Sequence, residues 1–379
     1  MVILNSDSCC TLVSLDGFDK SHRANDQQSA IDFVRTNIHL PEDDFEDDSD
    51  DEDTKHNFAQ HLFLPTKGVS VDQYLKSIPQ IMETADELLA KPLRKFSVES
   101  NERLLYVCQG EVAHTTSKQC DIIASDKSTT CHILTLRSNS AKHGPIVSMA
   151  HIDSTSCKSS IRDMVQEHKS SHDRCCNDPL YIDIHILGGF NDKEQFSQEL
   201  SSFILDQLSL IASEQNDIQM TLKTCVISSI NDAGNSYPIG RGMGIHVKTG
   251  EIFLAQVDNA LKGPLPELRA ARLWSNDDKD RLSLIQSTSS KDKFYIQAFL
   301  CEAVEQMKLL LELSDDLLLE YTSTSPEVEE DDFCASTRSS LRFIIDMNCE
   351  RVFRKASSSN FEPAIFHRVQ NTNQWIRTQ

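Results

Sequence analysis

The chain has 379 residues, and 37 Lys and Arg against 58 Asp and Glu give a formal net charge of −21 at pH 7. A chain of this length can bury a core without help from disulfides or metals. Its negative field repels phosphate backbones and anionic membrane surfaces, so we expect neither nucleic acid nor a membrane among its partners.

Nothing in the sequence predicts secretion or a membrane span. No stretch approaches the roughly 18 apolar residues of a spanning helix, and the N-terminus lacks the features of a signal peptide. The 12 cysteines are therefore interpreted as thiols in a reducing compartment, the cytosol or the nucleus. Because no Cys-x-x-Cys pair is present, we expect no metal and no cofactor.

An acidic run marks the N-terminal part of the chain. Ten of the twelve residues from Glu42 to Asp53 are acidic. Charge repulsion and scarce apolar side chains prevent burial from offsetting the entropy of ordering, so residues 41–56 are predicted to be a disordered insert. This insert belongs to an N-terminal segment over residues 1–60, and residues 61–379 are predicted to form a single domain.

Apolar periodicity predicts helices first and strands afterwards. Between Ser70 and Lys91 a helical period is interrupted by Pro79, which predicts one or two helices. From Leu104 onward the period changes to two. The predicted strands are Leu104–Val112, Thr130–Arg137, Pro145–His151, Tyr181–Leu187, Met220–Ile227, Gly242–Val247 and Glu251–Ala255.

A long helix is predicted after the fourth of these strands. Asn191 with Glu194 three residues later has the pattern of a capping box, and an apolar stripe follows from Phe196 to Ile211. Strands and helices intermix without regular βαβ alternation, which predicts an α+β protein with a mixed, largely antiparallel sheet sandwich flanked by helices. Further helices are predicted at Pro266–Trp274, Ala303–Leu311 and Phe333–Ile345.

The densest group of reactive side chains lies between Asp126 and Asp153. Cys131 stands where a polar turn becomes a strand, and His151 ends the next predicted strand. If the two strands are antiparallel neighbours, the imidazole can accept the thiol proton and raise the fraction of thiolate, which is the attacking species. A buried structural cysteine and a hydrogen-bonded core histidine fit the same spacing, which leaves both interpretations open.

Three further features have weaker interpretations. His132 is expected to point away from Cys131, because successive strand side chains face opposite sides. Gly188-Gly189 indicates a strand end with a tight turn, or a close approach of backbone to the site. The helix over Leu268–Arg272 could offer an arginine to a substrate, or present a solvated or ion-paired face.

Five segments occur in an order that carries a family resemblance. They are Asp126–His132, Ala150–Asp153, Ile184–Phe190, Leu268–Arg272 and Ser323–Pro326. Together they resemble the eukaryotic protein N-terminal asparagine amidohydrolases. The resemblance implies deamidation of an N-terminal Asn to Asp, followed by arginylation and ubiquitin-dependent degradation. It also implies that residues 61–379 form a catalytic, deamidase-like sandwich similar to that of bacterial glutamine deamidases.

The resemblance implies roles for individual residues. Cys131 of the Thr-Thr-Cys motif matches the nucleophile, and His151 matches the histidine of the following strand. The hydroxyls of Thr129 and Thr130, with nearby backbone N–H groups, are candidates for holding the oxyanion. Two features depart from the family: the acidic insert, and an N-terminal Met-Val where the animal enzymes have Met-Pro.

Only the free α-ammonium distinguishes a terminal Asn from an internal one by charge, and its burial requires a carboxylate partner. Asp153, two residues after His151 on the same predicted strand face, is the first candidate. Glu111, in the segment Gln109–Glu111, is the second, and a structural ion pair is the alternative for either. Two other functions stay open: a glutamine deamidase or other thiol hydrolase, and a non-catalytic protein whose acidic run binds a basic partner.

Overall fold

The computed structural model describes residues 70–141, 143–172, 179–232, 234, 237, 239–274, 281–299, 305–346, 352–355 and 361–378. The predicted insert at 41–56 and the segment around it lie outside the described residues. The described residues all fall within one compact unit. Among them, no helix combines the length and the apolar character needed to cross a membrane.

Pro79 divides the predicted N-terminal helical region into two helices. Helix α1 (Val71–Lys76) begins after Ser70, whose side chain caps the helix in a capping box with Gln73. Helix α2 (Pro79–Ala90) begins at the proline itself, which is favourable because the first helical N–H has no intrahelical partner. The remaining helices are α3 (Lys158–Ser170), α4 (Phe196–Glu214), α5 (Pro266–Ala271), α6 (Glu305–Glu312), α7 (Asp315–Thr322) and α8 (Phe333–Asp346).

The strands follow the predicted two-residue period, and several were not predicted. They are β1 (Arg94–Phe96), β2 (Leu104–Tyr106), β3 (Glu111–Thr116), β4 (Ile122–Ser128), β5 (His132–Ser140), β6 (Gly144–Ile152), β7 (Leu180–Gly188), β8 (Ile218–Ile227), β9 (Arg241–His246), β10 (Ile252–Val257), β11 (Ser283–Gln286), β12 (Lys293–Ile296), β13 (Arg354–Lys355), β14 (Phe361–Glu362), β15 (Ala364–Arg368) and β16 (Trp375–Arg377).

Two large sheets dominate the architecture. The first has six strands in the order β11-β3-β6-β5-β7-β8, and the second has five in the order β1-β10-β9-β4-β2. Within the described part of the chain, only the pairs β1–β10, β2–β4, β3–β11 and β7–β8 run parallel. The prediction of an α+β fold with a largely antiparallel sheet is confirmed. A three-stranded sheet (β12-β15-β16) and a two-stranded sheet (β13-β14) complete the set.

Side-chain alternation in the central strand β5 separates two layers of core. Ile133 belongs to the cluster that also contains Ile123, Met243 and Ile245 of the second sheet. Leu134, one residue later, belongs to the cluster formed with helices α3 and α4. The six-stranded sheet is therefore buried on both faces, with helices against one face and the second sheet against the other.

Two element predictions were wrong. The strand predicted over Leu104–Val112 is two strands in different sheets, separated by a turn at Gly110, whose φ is +73°. The helix predicted to begin at Asn191 begins at Phe196, and the carboxylate of Asp192 accepts hydrogen bonds from the N–H groups of Phe196 and Ser197. Asp192 thus satisfies the helix N-terminus in place of the predicted cap.

Candidate active site

Cys131 lies immediately before strand β5 and is 4% exposed. Its carbonyl accepts hydrogen bonds from Gly189 N–H (2.9 Å) and from the Ser128 hydroxyl. The preceding carbonyl, that of Thr130, accepts from the Ser197 hydroxyl at 3.4 Å. The peptide groups on both sides of the cysteine are therefore anchored by neighbouring elements.

Gly188 and Gly189 let the end of β7 approach this cysteine. Their φ angles are +129° and +64°, which residues other than glycine rarely adopt. A Cβ on Gly188 would lie 2.2 Å from the Cys131 carbonyl oxygen, and a Cβ on Gly189 would lie 2.5 Å from the His132 ring. The pair serves as both a strand end and a close backbone approach, the two interpretations that the sequence suggested.

The register of β5 and β6 brings His151 diagonally across from Cys131. His151 is directly opposite Ile133, which is two residues after Cys131 and on the same sheet face. The hydrogen bond from Gly189 to the Cys131 carbonyl extends the β5–β7 ladder to the cysteine. Diagonal neighbours in antiparallel strands are about 7–8 Å apart, within reach of long side chains.

The hydrogen bonds of Ser125 define the tautomer of His151. The Ser125 hydroxyl donates its only proton to the Val107 carbonyl (2.7 Å), and its oxygen lies 2.8 Å from His151 Nδ1. The imidazole must therefore donate from Nδ1, which leaves a lone pair on Nε2. Nε2 is buried and has no hydrogen-bond partner among the described residues. Burial lowers the pKa of His151 to about 4, so the ring is neutral at pH 7.

Ser125 was not among the predicted site residues. It lies on β4 of the second sheet, directly before the segment Asp126–His132, and is fully buried. Its adjacency to that segment is the one sequence signal that could have identified it. Its contact with His151 depends on the packing of one sheet on the other.

The two predicted threonines lie in the turn between β4 and Cys131. Thr129 is partly buried, and the Thr130 hydroxyl lies 3.0 Å from that of Thr324. The segment Ser323–Pro326, which contributed to the family resemblance, is thereby brought next to the cysteine. The sequence does not indicate this contact, because Thr324 lies 194 residues from Thr130 along the chain.

Asp153 follows the last residue of β6. Since His132 pairs with Ile152, the next position in the register places Asp153 across from Cys131. The side chain is partly buried and accepts a hydrogen bond from Gln109 Nε2 at 2.9 Å. Gly110 N–H donates to the His151 carbonyl at 2.9 Å, so the turn before β3 closes over this end of the sheet.

Glu111 forms a buried ion pair with Arg269 of helix α5. Its two oxygens accept from Arg269 Nε (2.8 Å) and Nη2 (2.6 Å), and one also accepts from Cys108 N–H. Arg269 Nη2 also donates to the Tyr106 carbonyl. The pair fixes the backbone around Val107, whose carbonyl orients Ser125. The sequence left an ion pair open as the alternative for Glu111 and for the arginines of the helix over Leu268–Arg272, and the structure shows that ion pair.

His132 faces the opposite side of the sheet from Cys131, as expected. Its Nε2 lies 2.8 Å from the Ser201 hydroxyl on helix α4, and burial lowers its pKa to about 3. In the part of the chain that the structure describes, no group of three or more His, Cys, Asp or Glu side chains is arranged to hold a metal ion.

Fold and site together define an α+β sandwich protein with a buried cysteine and a neutral, oriented histidine on adjacent strands. A cysteine beside a basic histidine is one of the arrangements that support nucleophilic acyl transfer. The model of the family described as protein N-terminal asparagine amidohydrolase matches residues 94–377. The chain belongs to this family and is therefore a hydrolase.

Individual relatives agree with this assignment. The protein N-terminal asparagine amidohydrolase of Mus musculus is 28% identical over 293 residues, covering 76% of this chain and 87% of the relative. The Sus scrofa protein of the same name is 29% identical over 280 residues, covering 73% and 84%. The match extends to plants, because the Arabidopsis thaliana protein of that name is 24% identical over 270 residues, or 65% and 74% of the two chains.

Proposed function

We propose that this enzyme deamidates the N-terminal Asn of proteins to Asp through a thioester on Cys131. The observation that carries the proposal is the orientation of His151. Ser125 holds Nδ1, so the buried Nε2 is unprotonated and has no partner among the described residues, and the strand register places Cys131 diagonally across from His151. This geometry supports a general base beside a nucleophile.

The reaction begins with proton transfer from the Cys131 thiol to His151 Nε2. The thiolate attacks the carboxamide carbon of the Asn side chain, and the carbonyl π electrons move onto oxygen to form a tetrahedral oxyanion. Its collapse expels ammonia, which takes the proton from His151. Water, deprotonated by the same imidazole, then attacks the thioester, and the products are Asp and the regenerated thiol.

The oxyanion requires fixed hydrogen-bond donors. We assign this role to Thr129 and Thr130, whose turn leads directly into Cys131. The carbonyls flanking the cysteine are anchored by Ser197, Gly189 and Ser128, which supports a preorganised backbone at this point. Loss of one oxyanion donor typically costs about 2.7–4 kcal/mol of transition-state stabilisation.

Asp153 is proposed to bind the α-ammonium of the substrate. Its register position across from Cys131 supports this role, whereas both oxygens of Glu111 are engaged by Arg269. A cation entering this partly buried region needs such a partner because it leaves water. The substrates are thus proteins and peptides with a free N-terminal Asn, and an N-acetylated peptide is not turned over.

The Asp product of this reaction is a substrate for arginylation. We therefore propose that the enzyme acts in the cytosol or nucleus, upstream of the arginylation machinery and ubiquitin-dependent degradation. The thiol chemistry supports such a compartment, because a nucleophilic cysteine must stay reduced.

Ammonia release and product mass together test the proposal. Asn-, Gln- and acetyl-Asn-starting peptides are incubated with wild type, Cys131→Ala and Asp153→Asn. We expect wild type to add one mass unit to the Asn-peptide alone, Cys131→Ala to be inactive, and Asp153→Asn to raise KM. Cys225→Ala, at a fully buried thiol on β8, is the matched control. Equal rates on free and acetylated Asn would refute the ammonium site, and a cleaved backbone would indicate a peptidase.

A further inference from the structure

Asn231 lies just beyond the end of β8 and is fully buried. Its side-chain amide has a partner on each side. Nδ2 donates to the Gly189 carbonyl at 2.7 Å, and Oδ1 accepts from Arg241 Nε at 2.7 Å. The NH2 group has an acceptor and the carbonyl oxygen has a donor, so the two bonds together define which end of the amide carries the nitrogen.

Gly189 connects this amide to the nucleophile. Its carbonyl accepts from Asn231, and its own N–H donates to the Cys131 carbonyl at 2.9 Å. Glycine loses more conformational freedom on folding than any other residue, and Gly188 precedes it. A glycine pair at a strand end therefore needs external hydrogen bonds to hold one conformation, and Asn231 supplies one of them.

Arg241 begins strand β9, where it pairs in register with Ser128. The Ser128 hydroxyl is the second donor to the Cys131 carbonyl. Strand β9 is therefore connected to the cysteine through Ser128 as well as through Asn231 and Gly189. Arg241 is partly buried, and burial lowers its pKa. Among the described residues Arg241 forms no ion pair, and its side chain donates a hydrogen bond to Asn231.

A partly buried guanidinium loses hydration, and its hydrogen bond to the buried Asn231 amide oxygen offsets part of that cost. We propose that Asn231 and Arg241 are positioning residues that hold the Cys131 backbone, and hence the direction of its thiol, through Gly189. The proposal rests on Cys131 being the nucleophile. Neither residue touches the reacting atoms, so substrate binding is expected to be unaffected.

The test compares four variants with wild type. Asn231→Asp keeps an acceptor for Arg241 and loses the donor to Gly189. Arg241→Met removes the hydrogen bond and the charge, Arg241→Gln retains a donor without charge, and Arg241→Lys retains the charge with altered geometry. Lys223→Met, at an exposed lysine on β8, is the matched control.

Three measurements are made on each variant: kcat and KM on an Asn-peptide, the thermal midpoint, and the alkylation rate of Cys131 by iodoacetamide from pH 6 to 9, followed on the peptide that contains Cys131. We expect Asn231→Asp and Arg241→Met to lose about 10–100-fold in kcat, with KM within about twofold of wild type. Their alkylation profiles should change, and Arg241→Gln should recover most of the lost kcat.

Wild-type kcat and alkylation in folded Asn231→Asp and Arg241→Met would overturn the proposal. So would a loss of activity explained wholly by a lower thermal midpoint, with an unchanged alkylation profile in the folded fraction. Failure of the underlying function is distinguishable, because Cys131→Ala would then retain activity whatever the Asn231 variants do.

Discussion

Replacing Ser125 with alanine removes the group that orients His151. The substitution eliminates two hydrogen bonds, one from His151 Nδ1 (2.8 Å) and one to the Val107 carbonyl (2.7 Å). Both former partners stay buried, and each unsatisfied group costs about 1–3 kcal/mol. We therefore expect the free energy of unfolding to fall by about 2–6 kcal/mol.

The effect on catalysis has a separate origin. Without Ser125 the imidazole is free to carry its proton on Nε2, the nitrogen proposed to accept the thiol proton. If the wrong tautomer reduces the stabilisation of the transition state by about 1–3 kcal/mol, kcat falls about 5–150-fold. The assay is ammonia release from an Asn-peptide at saturating substrate, at a temperature where circular dichroism shows the variant to be folded.

Ser148→Ala provides the matched control. Ser148 is likewise a buried serine beside a histidine, but it lies on β6 of the six-stranded sheet, and its hydroxyl lies 2.6 Å from both His114 Nδ1 and His168 Nδ1. Its stability loss should be similar and its kcat unchanged, because its face of the sheet packs against helices. Wild-type kcat in Ser125→Ala, or an equal loss of kcat in Ser148→Ala, would refute the reasoning.

Three further outcomes are expected. Burial lowers the pKa of His114 and of His132 to about 3, so the folded chain resists protons that the unfolded chain binds below pH 6.5; these two groups should make the protein about 3 kcal/mol less stable in urea unfolding at pH 5 than at pH 6.5, and a flat profile would contradict these values. Gly189→Ala should lower both thermal midpoint and kcat, since its Cβ would meet the His132 ring at 2.5 Å; a wild-type midpoint would exclude the strained conformation. Glu111→Gln leaves Arg269 charged and buried, which should remove about 3–5 kcal/mol of unfolding free energy in urea titrations, whereas a loss below 1 kcal/mol would mean that the pair is solvated.

Local patterns predicted most of the strands around the site. The strand containing His151 and the strand that follows Cys131 were predicted from apolar alternation, which dictates register wherever a face is buried. The sequence predicted a polar turn before Cys131, and part of the polar stretch, Asp126–Ser128, is instead the end of β4. Asp126 is accommodated there because its carboxylate accepts from the Tyr106 hydroxyl and from Val257 N–H, neither of which is near in sequence.

The residues that support Cys131 and His151 could not be predicted in the same way. Ser125 reaches His151 only because the second sheet packs on the first, and Asn231 reaches Gly189 from beyond the end of another strand. Such contacts depend on tertiary structure, which neither periodicity nor motif spacing encodes. The same limit applies to Glu111, whose partner Arg269 lies 158 residues away.

Detection of the acyl-enzyme tests the central claim most directly. Enzyme and an Asn-starting peptide are mixed, quenched in acid after short intervals, and analysed by intact-protein mass spectrometry and peptide mapping. The account predicts an adduct on Cys131 equal to the peptide minus ammonia, which decays as the Asp-peptide appears and is absent in Cys131→Ala. Formation of the Asp-peptide by Cys131→Ala at the wild-type rate would contradict it.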